Sequence, residues 1–310
     1  MEIIFLGTGG AWGLPEHACP CAACRRLRAI GQGRTRTSLW LQAGARIMID
    51  CGPDARAQLM RHDLPRPDAV LISHEHGDHF LGLDELLCFR RAVAPADWRP
   101  IPVYAHPDAW PAIMARFAYL APALIEPRQA IPGEPLAGEP FGPMLTATPV
   151  KTDHGPIPKG AVGYVIQARG PAGAASLGYT SDMVGLPDPM SFAGLDALVC
   201  QCHFLNEPEV NRPNHLSLQK ALPLLRAWRP GRVFFAHISC QDFIPGDEPA
   251  NAMLKKFAPA QPLAGPDGAP YPIPLDQAQW QAVVERVLAD HGLGMPATVA
   301  HDGLRVRLGA

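Results

Sequence analysis

No run of lysine or arginine interrupts these 310 residues, and 27 basic side chains against 29 acidic ones leave a net charge of −2. A chain that grips nucleic acid through its phosphates carries a basic excess, so nucleic acid is not the expected partner. Missing too is any apolar stretch near the ~18 residues that cross a bilayer, and no membrane is expected. Met1-Glu2-Ile3-Ile4-Phe5-Leu6 has neither the basic start nor the cleavage site of a signal peptide. It reads as a first strand, and the cytoplasm is the expected location. There the eight cysteines are better read as thiols or metal ligands than as disulfides. Nucleotide fingerprints are also absent. Gly7-Thr8-Gly9-Gly10 follows a strand, but it is neither G-x-x-x-x-G-K-[ST] nor G-x-G-x-x-G; it reads as a sharp turn beside an active site.

What is present is a full core and a concentration of histidine and acid. Hydrophobic residues make up 47% of the chain, enough for one large α/β domain or two small ones. The 35 prolines favour rigid loops between short elements. The densest signal is Ser73-His74-Glu75-His76-Gly77-Asp78-His79. It follows the apolar run Ala69-Val70-Leu71-Ile72, which reads as a buried strand. The cluster therefore sits at a strand's C-terminal end, where α/β sheets place their chemistry. His74 and His76, two apart, can face one ion from an extended turn, and Asp78 and His79 can serve a second. Imidazole and carboxylate suit Zn, Mn or Fe without any thiolate.

Other strand ends carry the same residue types. Asp50 closes a hairpin over 38–42 and 46–50. It reads either as a carboxylate orienting a ligand histidine or as a cap for a helix over 54–61. His154 follows a strand over 145–150 and is a candidate third imidazole. Strands over 163–167 and 175–180 pair as a hairpin, beyond which Asp182 bridges two ions or caps a turn. His215 precedes a helix over 218–228 and reads as a proton donor or as a structural residue beside an Asn214 cap. His237 ends a strand over 233–236. Helices are also expected over 81–90 and 107–120, the second placing Trp110, Phe117 and Tyr119 in the core or a pocket wall. Cys19-Pro20-Cys21-Ala22-Ala23-Cys24 holds three thiols in six positions, and Cys240 is the best fourth ligand. The set reads as a structural zinc site, against free buried thiols or a redox pair of Cys21 and Cys24. A Pro-rich stretch, 245–295, with one amphipathic helix over 276–291, reads as an insertion laid on a single domain of residues 1–310. A strand, an Asp302-Gly303 turn and a second strand then close the chain as a hairpin.

The order His74-x-His76-x-Asp78-His79, then His154, Asp182 and His237, resembles the metallo-β-lactamase superfamily. The resemblance implies an α/β fold, a four-layer αβ/βα sandwich with a two-metal site at the sheet ends. Residue by residue it assigns His74, His76 and His154 to one ion, Asp78, His79 and His237 to the other, and Asp182 to both. Gly7-Thr8-Gly9-Gly10-Ala11, the Cys19/Cys21/Cys24 trio, Asn214-His215 and His237-Ile238-Ser239 are similar to the PhnP-type phosphodiesterases of the carbon–phosphorus lyase pathway. That likeness covers roughly residues 1–243 and the closing strands. It implies hydrolysis of small or cyclic ribose and nucleotide phosphodiesters, and a general-acid or phosphate-contacting role for His215. It also implies an extra structural zinc, whose histidine ligand is replaced here by Cys240. The 245–295 segment departs from that pattern.

The expected enzyme is thus a metal-dependent hydrolase, a phosphodiesterase. Two divalent ions, Zn, Mn or Fe, are held with the help of Asp78 and Asp182 and activate a hydroxide for in-line attack. His215 serves the leaving oxygen. The expected partner is a small phosphodiester, with a homodimer as the candidate assembly. The alternatives are a thioester or lactone hydrolase on the same two-metal site, a tRNA 3′-processing nuclease, and a non-catalytic metal carrier.

Overall fold

The computed structural model describes residues 1–170, 173–247 and 257–309. Two seven-stranded sheets face each other. The first is built from β1 (Glu2–Gly7), β2 (Ser38–Gln42), β3 (Arg46–Ile49), β4 (Ala69–Leu71), β5 (Ile101–Ala105) and β6 (Ile125–Gln129) in that order, with β14 (Arg305–Arg307) outside β1. The second runs from β7 (Leu136–Gly138) through β8 (Gly142–Lys151), β9 (Val162–Gly170), β10 (Gly173–Tyr179), β11 (Ala197–Gln201) and β12 (Val233–Ala236) to β13 (Ala297–Val299).

Period-two alternation builds the layers. Ile3, Phe5, Ile47, Ile49 and Leu71 point between the sheets, where they meet Tyr164, Ile166 and Leu177. Phe5 packs on Phe234 with ring centroids 5.4 Å apart. The alternate residues Ile4, Leu6, Met48 and Val70 point outward onto α2 (Ala55–Arg61) and α5 (Trp110–Phe117). The outer face of the second sheet is covered by α1 (Ala22–Ala29), α6 (Leu218–Trp228) and α7 (Gln277–Asp290). Ser217 caps α6 by accepting from the Lys220 N–H, and a left-handed Arg229 ends it. The buried residues of α7, Trp280, Val283, Val284, Val287 and Leu288, recur at helical spacing and join the cluster that α6 packs into. The part of the expected insertion over 248–256 lies outside the described residues. No helix among the described residues is long and apolar enough to cross a membrane.

Three expectations are corrected. The closing strands do not form a hairpin: β13 pairs parallel with β12 and β14 pairs antiparallel with β1, so the turn at Asp302 carries the chain from one sheet to the other. Behind a one-turn α3 (Gly77–Phe80), the helix expected over 81–90 is instead a 3₁₀ turn Leu83–Leu86 followed by α4 (Leu87–Arg91). That over 107–120 is helical only at α5, with 3₁₀ turns on either side. The tighter turn rotates Tyr119 outward, where it is 67% exposed rather than in a wall.

The topology places the chemistry. β1 and β3 both run antiparallel to β2, and β3 and β4 are parallel. In the other sheet β8 and β10 both run antiparallel to β9, and β10, β11 and β12 are parallel. Within each sheet these strands therefore deliver their C-terminal ends to one edge.

Candidate active site

At that edge stand His74 to His79 after β4, His154 after β8, Asp182 after β10, and His237 after β12. One oxygen, Asp182 Oδ2, is the meeting point. Around it lie His237 Nε2 at 3.1 Å, His79 Nε2 at 3.4 Å, His154 Nε2 at 3.8 Å and His74 Nε2 at 3.9 Å. Asp78 Oδ2 lies 3.0 Å from His79 Nε2 and 3.6 Å from His237 Nε2. Two groups of donor atoms result, each within 4.8 Å of its fellows: His74, His76 and His154, and Asp78, His79, Asp182 and His237.

The donors fit a pair of cations. His74 Nε2, His79 Nε2 and His237 Nε2 are buried and have no hydrogen-bond partner, although carboxylate oxygens lie near them. Buried polar atoms are otherwise almost always paired, and this arrangement suits atoms that share a cation rather than a proton. Nitrogen and carboxylate oxygen match borderline divalent ions.

The opposite nitrogen of most rings is anchored, which turns the inner one towards the centre. His79 Nδ1 donates to Asp50 Oδ2 at 2.8 Å, and His154 Nδ1 donates to the Asn214 carbonyl at 2.8 Å. His74 Nδ1 meets Ser73 Oγ at 3.0 Å. Asp50 also accepts from the Ser73 N–H, Ser73 Oγ and Tyr179 Oη. It therefore orients the site and does not cap α2. Asn214 is not a helix cap either, since Ser217 holds that place; its carbonyl steers His154 instead. Replacing Asp50 with alanine is expected to weaken metal binding at His79 by roughly 10–100-fold, measurable by competition with a chromophoric chelator. Unchanged affinity would show that Asp50 only packs.

Backbone strain concentrates here as well. Of the seven non-glycine residues with positive φ among the described residues, Asp50, Ser181, Asn214 and His237 belong to this edge. Such left-handed positions persist where surrounding structure imposes them. Gly155, at φ 78°, is needed for a further reason: a Cβ there would lie 2.3 Å from the Asn214 side chain. The expected turn at Gly10 also lies against the site, its notional Cβ 3.1 Å from His203 and 3.5 Å from His237.

Electrostatically the cluster is a buried standoff. Burial would raise the Asp182 carboxyl, but His237, His79 and His215 outweigh it and hold it well below the usual carboxylate range. Burial likewise opposes charge on His237, yet Asp182 and Asp78 raise it to about 9. His74, desolvated and facing His79 and His154, is pushed well below the ordinary imidazole value.

His215 and two residues that the sequence reading passed over complete the site. Gln201, at the end of β11, accepts the Met183 and Leu216 N–H groups on its Oε1, at 2.9 and 3.0 Å. Its Nε2 must then donate to His215 Nδ1 at 2.7 Å, which leaves the neutral ring's proton on Nε2. His215 Nδ1 also lies 3.5 Å from Asp182 Oδ2. His203 stacks on His215 with centroids 4.0 Å apart. Its Nε2 meets Gln241 Oε1 at 3.1 Å, and its Nδ1 meets His237 Nδ1 at 3.1 Å. Gln241 thus holds the His203 proton on Nε2, and His203 accepts from His237. The available signal was position: polar residues directly after a fully buried strand. A cleft of about 550 Å³ opens over His76, Asp78, His154 and His215.

The four cysteines converge apart from this edge. Cys19, Cys21, Cys24 and Cys240 are all buried, with sulfurs within 4.8 Å of one another, and all are free thiols. Cys21 Sγ accepts the Cys24 N–H and Cys24 Sγ accepts the Glu16 N–H. Hydrogen bonding within the set holds Cys19 and Cys21 below the usual thiol value and Cys24 and Cys240 above it. Four thiols this close cannot all ionise without a cation between them.

Residues 45–238, well over half of the chain, match the family model of the β-lactamase superfamily domain. The chain belongs to that superfamily and has the metallo-β-lactamase fold, the fold of a family of typically dinuclear metal-dependent hydrolases. A structure described as a new diphosphatase from the PhnP family aligns with a TM-score of 0.69 and 23% identity, covering 99% of this chain and 97% of that one. At that identity it shows the fold alone. An octanoyltransferase of Porphyromonas gingivalis is 37% identical over 178 residues, 54% of this chain and 33% of that protein. Zinc phosphodiesterase ELAC protein 1 of Bos taurus is 38% identical over 90 residues, 28% of this chain and 20% of that protein. The chain thus spans a third or less of the length of these two relatives.

Proposed function

We propose that this chain is a two-metal phosphodiesterase acting on small or cyclic ribose and nucleotide phosphodiesters. The observation that carries the reading is the convergence of both donor groups on Asp182 Oδ2, with His215 3.5 Å from the same atom. His74, His76 and His154 would hold one ion, Asp78, His79 and His237 the other, and Asp182 both, with Zn, Mn or Fe compatible with the set. Bound there, two divalent ions supply a water of lowered pKa and neutralise phosphoryl charge. The chain's own residues do the rest. Asp50, Asn214 and His203 keep the imidazoles aimed, and His215, protonated on Nε2 by the Gln201 contact, gives its proton to the leaving oxygen. No serine or cysteine nucleophile is needed. The likeness to a zinc phosphodiesterase supports phosphorus as the centre attacked. An acyl reaction has the name of one relative on its side; that match covers a third of that protein, and the zinc phosphodiesterase match covers a fifth of its own.

A substrate panel tests the reading. Bis(p-nitrophenyl) phosphate should turn over, while a thioester, a lactone and a tRNA precursor should not. Turnover of the thioester alone would transfer the site to acyl chemistry, and processing of the tRNA precursor would favour the nuclease.

The cysteine set is proposed to hold a structural zinc. Replacing Cys21 with serine is expected to remove one zinc per chain. It should lower the unfolding midpoint by roughly 10 °C or more, since several kcal/mol are lost at roughly 2–4 °C each in a chain of this size. An unchanged zinc content and midpoint would contradict it.

A further inference from the structure

The mouth of the cleft carries an anomaly that metal chemistry does not explain. Large apolar side chains seldom stand open to solvent without a use when they gather in one place. Trp12 is 67% exposed, Ile157 71% and Leu81 40%, and all three line this one cleft. They sit on separate pieces of backbone, so no single amphipathic element accounts for them. Trp12 projects from a turn closed by the Gly13 N–H donating to the Gly10 carbonyl at 2.9 Å. Arg36 Nε stiffens the same turn by donating to the Ala11 carbonyl at 2.8 Å. Ile157 rides on a loop tied down by Glu75, which accepts the Lys159 and Gly160 N–H groups. Leu81 is the residue that ends α3.

The charges at the mouth add a second constraint. Arg36 is already neutralised by Asp54, 3.1 Å away. Arg212 lines the same cleft and is in no ion pair among the described residues. The occupant is therefore an anion with a flat or apolar part. A cleft of about 550 Å³ is far larger than a bare dialkyl phosphate and falls in the range of sites for ligands of nucleotide size.

We propose that Trp12, backed by Ile157 and Leu81, forms a ring-binding subsite beside the metal cluster, and that this enzyme prefers phosphodiesters whose retained alcohol bears a nucleobase or comparable aromatic ring over those whose retained alcohol is a ring-free ribose or alkyl group. This rests on the phosphodiesterase reading and narrows it. Stacking of a base on an aromatic side chain is sequence-tolerant, so the subsite selects for a ring and not for one base.

Two esters with the same leaving group test it: the p-nitrophenyl ester of thymidine 5′-monophosphate and methyl p-nitrophenyl phosphate, with the metal-loaded full chain. The kcat/KM ratio of the first to the second is expected to be roughly 10–100, the factor that one base–aromatic stack supplies. The preference should appear in KM, because the ring is bound alike in ground and transition states. Trp12→Ala should bring the ratio close to one, and Trp12→Phe should keep most of it. Tyr119→Ala, which removes an equally exposed aromatic ring outside the cleft, should leave it unchanged. A wild-type ratio near one, or a high ratio that survives Trp12→Ala, would overturn the subsite while the phosphodiesterase reading stands. Cleavage of neither ester would overturn both.

Discussion

Replacing Asp182 with asparagine is expected to reduce phosphodiester turnover by ~10³-fold or more, the consequence of losing several kcal/mol of charge stabilisation. Asparagine keeps the size of the side chain, so the buried sheet end has no cavity to collapse into. It removes the negative charge from the side chain whose Oδ2 faces His237, His79, His154 and His74 within 3.1–3.9 Å. Two donor groups that shared an anion would then share only a neutral amide. The metal content should fall from two ions at this site to about one. The metal-free protein should change too, since Asp182 is the stronger of the two carboxylates, with Asp78, that raise His237 to about 9 against its burial; that value should drop in the variant, visible by NMR titration of the ring. Full turnover with two ions retained would show that Asp182 is not shared.

His215→Ala is expected to lower kcat by ~10²–10⁴-fold for an alkyl leaving group, the range of general acid–base catalysis, and by much less for p-nitrophenolate, which departs without a proton. That split separates a proton donor from a metal ligand. A ligand's loss would slow both substrates alike and lower the metal content. Gln201→Leu should show the same leaving-group signature at roughly 10–100-fold, because it releases the His215 tautomer without touching the ring. If His215→Ala slows the two leaving groups equally, the donor role fails.

The residues of His74 to His79 were legible because metal chemistry narrows the choice of residue type and because a short apolar run marks where a strand ends. His154, Asp182 and His237 followed the same rule at other strand ends, and the sheet topology brings all of them to one edge. The position of Gln201 and His203 at the end of a buried strand was legible, but their work was not. Glutamine is not a ligand type, and its work depends on which of its two amide atoms meets the Met183 and Leu216 N–H groups, a matter of folded geometry. Asp50 was ambiguous for a like reason: a carboxylate at a strand end serves a neighbouring helix or a distant histidine equally well until Ser73, His79 and Tyr179 are seen around it. The closing Asp302-Gly303 turn has hairpin chemistry, but alternation within a strand carries no record of which sheet it joins. Tyr119 fitted a helical pattern that the backbone leaves two residues earlier.

Metal stripping and reconstitution, followed with bis(p-nitrophenyl) phosphate, tests the central assignment most directly. Chelation should bring turnover to background while the sheets stay folded. Titration with Zn or Mn should restore it in proportion to ion bound, reaching full rate at two equivalents beyond whatever the cysteine set retains. Full turnover by protein holding no ion at His74, His76, His79, His154 and His237 would contradict the account.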